Sequence, residues 1–539
     1  MSSNQVDIGL DTLSFDNRFT EMLPKDPIEE NYRREVLGAC YSEVRPTPVR
    51  EPSLVAYAPE VAELIGLPAS SCEEPLFSEV FSGNQLLPGM NPYATCYGGH
   101  QFGNWAGQLG DGRAINLGEI VNKNNERYTL QLKGAGPTPY SRSADGLAVL
   151  RSSLREFLCS EAMFHLGVPT TRALSLVLTG EEVLRDMFYD GNAGYEPGAV
   201  VCRVAASFTR FGHFQFYAAQ KDPGLLKNFV DYTIENDFEG YDLPKNPTDP
   251  ARTGIYAAWF DEVCQRTADM IAHWMRVGFV HGVMNTDNMS ITGLTIDYGP
   301  YGWLENYDAG WTPNTTDAQG RRYCFGNQPK IAQWNLVQLA NAVYPLVGDA
   351  APLEHSLESY ATHYQKEWSG MLANKLGLLE VPHELEEQLF TLLQSVETDM
   401  TLFFRFLSDV KPANSSDEDF AIPKSLLPAY YLESQLDDAY KQQLQSWLVS
   451  YGHAINKEGR AMAERAAQMN QANPLYVLRN YIAQNAIDAV AKGDNAPVSE
   501  LLDVLKDPYN KQPGKEAFAQ KRPEWARNRP GCSMLSCSS

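Results

Sequence analysis

The sequence has no apolar run approaching the ~18 residues that a membrane-spanning helix needs. Its first twenty residues have neither a basic start nor the hydrophobic centre of a secretory signal. These absences lead one to expect a cytoplasmic protein with no membrane association. Basic residues are also few: 44 Lys and Arg stand against 67 Asp and Glu, a formal charge of −23. So acidic a chain lacks the cationic face that nucleic acid or an anionic bilayer requires, and an anionic ligand must find a local basic pocket. Cysteine is sparse and unpatterned. Seven of the nine lie singly between Cys40 and Cys324 without metal-ligand spacing, as expected of reduced, packed thiols. Cys532 and Cys537 differ, lying in a Ser-rich terminus where a thiol is expected to be reachable. What is present suffices for well-packed cores: 539 residues, 43% of them hydrophobic and 11% aromatic, allow two or three domains.

Composition divides the chain into five stretches. Residues 1–90 are short strands and turns broken by prolines such as Pro24, Pro46 and Pro88, expected to pack as an extension on the lobe that follows. Residues 91–220 open with Asn91 to Arg113, which places six glycines within 98–112. That density signals backbone in conformations closed to other residues, or pressed against a ligand. Two β-type runs follow, Ala114 to Val121 and Tyr128 to Lys133, joined by the polar turn Asn122 to Glu126. Leu147, Leu150, Leu154, Phe157 and Leu158 then keep helical spacing, with Asp145 placed to cap the helix and Gly167-Val168-Pro169 to end it. Further strands are expected at Ala173 to Leu178 and Ala199 to Ala206. In 221–330 the acidic span Asp231 to Gly254 reads as a surface loop, and Phe260, Val263, Thr267, Met270, Ile271 and Trp274 form a helix stripe that stops at Gly278. Residues 331–505 read as helices over 331–347, 353–376, 382–407, 429–451 and 474–491. Residues 506–539 read as an extended tail holding Cys532 and Cys537.

The chemistry concentrates in His281 to Gly299. In protein kinases and their small-molecule relatives a catalytic-loop Asp accepts the substrate proton and an Asn five residues later binds a metal; after a short hairpin, the Asp of an Asp-Phe-Gly turn supplies the second ligand. Asn288 matches that Asn, and Asp297-Tyr298-Gly299 matches the turn. Two hard oxygen donors of this kind suit Mg²⁺ or Mn²⁺ on a nucleotide. Val283 occupies the place of the proton acceptor and cannot take a proton. Asp287 is the remaining carboxylate, available as general base for a hydroxyl presented at a different phosphorus atom. The alternative is that it only caps the loop of a pseudokinase that binds nucleotide without turnover. Gly110, Gly112 and Arg113, followed by a hairpin ending in Lys133, resemble the phosphate-covering half of a kinase N-lobe without its third glycine. Glu156, 23 residues after Lys133, either makes a Lys–Glu pair between strand and helix or is a solvated helix residue, with Lys133 a plain strand end. Arg203 and Arg210 are either surface arginines or a guanidinium pair for phosphate oxygens. His281 is expected to hold backbone in place.

Together these stretches resemble the selenoprotein O family of protein adenylyltransferases, with cysteine in place of selenocysteine. The resemblance is carried by Asn91-Pro92-Tyr93 through Gly98-Gly99-His100-Gln101-Phe102-Gly103 and onward to Arg113, by Gln131-Leu132-Lys133-Gly134 to Arg142, and by Val149 to Leu158. His281 to Gly299, Asn473-Pro474-Leu475 to Tyr481 and the closing Cys537-Ser538-Ser539 extend it over residues 90–539. It implies an α+β, protein-kinase-like bilobal fold, a β-rich N-lobe and a helical C-lobe with additional C-terminal helices. It implies that ATP lies inverted, its α-phosphate facing the acceptor, and that AMP passes to Ser, Thr or Tyr hydroxyls of proteins while pyrophosphate leaves. Mg²⁺ or Mn²⁺ would be the cofactor, and the chain would act as a monomer. Carried onto matching positions, Gly110, Gly112, Arg113, Lys133, Asp145, Gly146, Glu156, Arg203, Arg210 and Asp297 would hold the nucleotide. Asn288 and Asp297 would bind the metal, and Asp287 would be the base. With the nucleotide turned round, the old base position has no task, which accounts for Val283. UMP transfer from UTP by the same site, conventional kinase chemistry and a non-catalytic nucleotide-binding scaffold stay open. The tail departs from the family pattern: four residues separate Cys532 from Cys537, so a redox pair there is feasible and not implied.

Overall fold

The computed structural model describes residues 9–10, 13–412 and 420–536. Its first eleven strands in chain order are β1 Tyr41–Glu43, β2 Ser53–Tyr57, β3 Tyr93–Thr95, β4 Gly98–Gln101, β5 Asn104–Gln108, β6 Ala114–Val121, β7 Arg127–Lys133, β8 Arg172–Arg185, β9 Gly194–Ala205, β10 Phe279–Val280 and β11 Gly302–Trp303. Seven form one antiparallel sheet in the order β1-β3-β6-β7-β9-β8-β2, so residues 1–90 provide both of its edges. The β6–β7 turn is local chemistry: the Asn122 side chain accepts from the backbone N–H of Asn124 and of Glu126, each at 2.9 Å. Helices make up most of the chain after β9, and the protein is α+β, with a β-rich N-lobe and a helical C-lobe. Among the described residues no helix is long and apolar enough to cross a membrane.

Helix Leu150–His165 lies against β8 and β9. Leu154, Phe157 and Leu158 are fully buried, each contributing about 1.5–3 kcal/mol. It starts later than its apolar spacing suggests, and Asp145 does not cap it. Gly146 has φ +78°, and Leu147 and Val149 are held in β-bridges to Ala135 and Gly198, so the helix cannot begin before Leu150. Asp145 instead accepts from Leu147 N at 3.0 Å and pairs with Arg185 at 2.7 Å. On its far side the same helix is backed by helices Asn480–Val490 and Ala496–Leu505, which fix the element carrying Glu156.

Other boundaries move for equally local reasons. The acidic span read as a loop is helical as far as Asp237, because Pro223–Asp237 buries Leu225, Phe229, Val230 and Ile234 beneath its charges, and Asp222 caps it. Only 238–250 remains irregular before helix Ala251–Val277, which Gly278 ends at φ +74°. The expected 382–407 helix is two, His383–Ser395 and Met400–Leu407. Asp399 between them is an N-cap, accepting from Leu402 N at 3.0 Å. The 429–451 helix shifts to Asp438–Glu458, with Asp437 as its cap, and 474–491 shortens to Asn480–Val490. Met462–Ala472 and Ala496–Leu505 are further helices.

The described part of the tail is anchored. Arg527 reaches Glu397 at 2.9 Å and Arg529 reaches Asp488 at 2.6 Å. Asn480 Nδ2 donates to the Cys532 carbonyl at 2.6 Å. Leu535 N donates to Pro313 O at 2.9 Å, and Thr315 N donates back to Leu535 O at 2.8 Å. Cys532 is therefore not reachable as expected: it is 5% exposed, and burial pushes its thiol up to about 11. Cys537 lies outside the described residues. Iodoacetamide applied to the native protein at about pH 7.5 is expected to leave Cys532 unmodified, with labelling in peptide maps only after unfolding. Labelling at the rate of a free thiol would refute this packing.

Candidate active site

The cationic floor of the site follows from strand register. β7 pairs with β9 so that Gln131 faces Arg203 and Lys133 faces Val201. Side chains alternate along a strand, so Gln131, Lys133 and Arg203 share one face. Lys133 Nζ meets Glu156 Oε2 at 2.6 Å, and Arg203 Nη1 meets Glu156 Oε1 at 2.8 Å; Arg203 also donates to Gln131. From the other lobe comes Asp297, 2.8 Å from Lys133, 3.1 Å from Arg203 and 2.9 Å from Arg210. Arg210 stands just before helix Phe211–Ala219, over the ring of Tyr97 at 4.8 Å and 3.9 Å from Asp111. Burial would push the Asp297 carboxyl up, yet Lys133, Arg210 and Arg203 together hold it well below the usual carboxylate range. Its backbone has φ +61°, a left-handed conformation costing a non-glycine residue about 1 kcal/mol. Strain and buried charge gathered at one residue are marks of a functional site.

A cleft of about 840 Å³ opens above this floor. Gly110, Gly112 and Arg113 line it, as do Lys133, Asp145, Gly146, Arg203, Arg210, Asp287, Asn288 and Asp297. Of the expected site residues only Glu156 stands back, buried behind Lys133 and Arg203. Val283 borders the same cleft.

Asp287 sits in the short turn Thr286–Asn288, beneath the first part of the glycine-rich run. β4 and β5 form a two-stranded ribbon lying on the loop that carries Thr286–Asn288. His100 N donates to Thr286 Oγ1 at 2.7 Å, Phe102 N to Asn285 Oδ1 at 3.1 Å, and Gln101 Nε2 to Asp287 Oδ2 at 3.2 Å. A Cβ on Gly99 would come within 2.8 Å of Asp287 Oδ1, so the ribbon approaches this closely only because that residue is glycine. Asp287 is left 8% exposed, with Oδ1 lacking a hydrogen-bond partner. Burial pushes its carboxyl up to about 6, against the pull of Arg210. Arg210 Nη1, which holds Asp297, also donates to the Asp287 carbonyl at 2.7 Å, coupling the two acidic positions through one guanidinium.

Asn288 Nδ2 donates to Val283 O at 3.0 Å, which commits the amide nitrogen to the loop and leaves the oxygen for a cation. The hairpin expected between Asn288 and Asp297 does not form a ladder of its own: Ser290 bridges Arg210 and Thr295 bridges Thr170. His281 is buried, its Nε2 2.9 Å from Ile296 O and its ring stacked 5.3 Å from Trp274, and burial pushes its pKa down. A neutral ring so placed holds backbone. Sequence reasoning passed over Gln101, Asp111 and Gln131. Only Gln131 carried a usable signal, standing two residues before Lys133 and so on the same strand face.

Known proteins resemble this chain over most of its length. The family described as "Protein adenylyltransferase SelO" matches residues 29–506. A protein nucleotidyltransferase YdiU from Rhodopirellula baltica is 59% identical over 538 residues, covering 98% of this chain and 99% of its own. One from Azoarcus sp. is 58% identical over 534 residues, with the same coverages. Among solved structures, ROP2 from Toxoplasma gondii, described as having a protein-kinase fold and no enzymatic activity, matches at 11% identity and a TM-score of 0.22, covering 50% of this chain and 79% of that one. The chain is a nucleotidyltransferase and belongs to the SelO family of protein adenylyltransferases.

Proposed function

We propose that this chain transfers AMP from ATP to Ser, Thr or Tyr hydroxyls of proteins, with Asp287 as general base. The observation carrying this reading is the Asp287 carboxylate itself. It is buried at the cleft, raised to about 6 and free at one oxygen, while the residue five before Asn288 is a valine. A base of that strength is ionised at neutral pH yet retains affinity for a proton. The hydroxyl oxygen attacks the α-phosphorus as its proton passes to Asp287. The bond from the α-phosphorus to the bridging oxygen breaks, and pyrophosphate leaves with the electron pair. Lys133, Arg203 and Arg210 take the growing negative charge of that leaving group, a fixed array that costs little reorganisation. The donor set fits a divalent cation: the free amide oxygen of Asn288 and the ionised carboxylate of Asp297 are two hard oxygens, the number Mg²⁺ accepts beside phosphate and water. When bound there, such a cation would neutralise phosphate charge. The test is label position. With ATP labelled on the α- or the γ-phosphate, α-label is expected on protein, with release of pyrophosphate. Repeating the α-label arm with UTP, GTP and CTP tests the preference for ATP. Transfer of γ-label alone would sink the proposal.

A further inference from the structure

The cleft is chemically uneven in depth. Its floor gathers three buried cations around two carboxylates: Lys133 is 7% exposed, and Arg203 and Arg210 are each 2% exposed. Its outer rim is open and carries an aromatic ring: Tyr189, in the turn between β8 and β9, borders the cleft while 64% exposed. Tyr189 has φ +56°, a left-handed backbone conformation that bulky residues rarely adopt. The turn is nonetheless well held. Asp186 accepts from Asp190 N at 3.2 Å and from Gly191 N at 2.7 Å. Ser536 of the tail donates to Met187 O. The bidentate pair of Arg185 with Asp145, at 2.7 and 2.9 Å, ties the base of the turn to the loop opposite.

From this we infer that Tyr189 is the stacking platform for the nucleobase, an assignment that rests on the nucleotide-transfer reading above. A nucleoside triphosphate has one polyanionic end and one flat, weakly hydrated end. The buried cations accept the first, which turns the second toward the rim. There an aromatic side chain carried on a turn braced before binding offers stacking at reduced ordering cost. Stacking recognises a π-face, so the platform favours the larger purine surface over a pyrimidine.

Titration calorimetry of the full chain tests this without relying on turnover. In Tyr189→Gly the Kd for ATP with Mg²⁺ should rise about 5- to 150-fold, the span of base–aromatic stacking. Glycine suits a positive φ, so the substitution relaxes the backbone. The Kd for inorganic tripolyphosphate, which has no base, should be equal in the two proteins. Tyr189→Phe, which keeps the ring, should recover the ATP affinity. An unchanged ATP Kd overturns the inference, and so does an equal loss of ATP and tripolyphosphate affinity, which would mean that the ring only shapes the cleft. Unchanged ATP affinity with a raised KM for the acceptor protein also overturns it, assigning the ring to the other substrate. A wild-type protein that shows the stacking effect yet transfers no label would sink the proposed function and leave this inference standing.

Discussion

Asp287→Asn is expected to lower transfer by about 10²- to 10⁴-fold, the contribution of a positioned general base, and at the same time to make the protein more stable at neutral pH. Both effects come from one cause. The β4–β5 ribbon buries the carboxyl and pushes it up to about 6, against about 3.9 for an unfolded Asp. Between those two values the unfolded chain has released a proton that the folded chain keeps. Stability therefore falls as pH rises through that window, and above it the ionised Asp287 costs the fold about 3 kcal/mol. Asparagine carries no charge at any pH, so the variant should match wild type below about pH 4, gain steadily to about pH 6 and keep the whole gain beyond. Calorimetric melting at pH values on both sides of that window reads the gain. In wild type, kcat/KM should fall as pH drops below about 6, since it reports the free enzyme's base, and the residual activity of Asp287→Asn should lack that limb. A variant no more stable than wild type in the alkaline arm would show that burial does not tune this carboxyl.

The particular residues show where sequence is informative and where it is silent. The Lys133–Glu156 pair and the meeting of Asn288 and Asp297 at one cleft are legible because both rest on residue types at fixed spacing within short stretches. Arg203 was legible only as a basic residue in an acidic chain. Its position beside Lys133 depends on the register between β7 and β9, which neither strand's own periodicity sets. The glycines of 98–107 announced close backbone approach but not the surface approached, and the partner, Asp287, lies 188 residues beyond Gly99. Helix starts went astray where a side chain had more than one possible task. Asp145 could have capped a helix but binds Arg185, whereas Asp399 interrupts an apolar pattern because it is itself a cap. Cys532 was misread because Gly and Ser around it signal local mobility, while its burial comes from anchors such as Asn480, 52 residues away.

Asp297→Ala is expected to separate two tasks, the ion pairing that Asp297 provides within the floor and the cation binding proposed for it. Without that carboxylate Lys133 and Arg203 share Glu156, and Arg210 keeps the Asp287 carbonyl and, as its ion-pair partner, Asp111 at 3.9 Å. Removing one partner of a buried ion pair costs about 3–5 kcal/mol. With 24% of the Asp297 side chain exposed, the lower end applies, about 3 kcal/mol. Its pKa is depressed, so its contribution is complete above the unfolded value near 3.9 and is lost as pH falls through the folded one. The melting temperatures of wild type and variant should thus differ widely at neutral pH and converge in strong acid. The altered floor carries one negative charge fewer, which suits a polyanion. In EDTA, ATP should bind the variant at least as tightly as wild type and restore much of its lost stability by mass action. Adding Mg²⁺ should then raise the affinity of wild type alone, because the variant has given up one of the two oxygens that fit the cation. Transfer should drop by about 10²-fold or more, the scale of losing one electrostatic stabiliser of the reacting phosphates. If Mg²⁺ strengthens ATP binding equally in both proteins, the cation is held elsewhere and the web around Asp297 serves the fold alone.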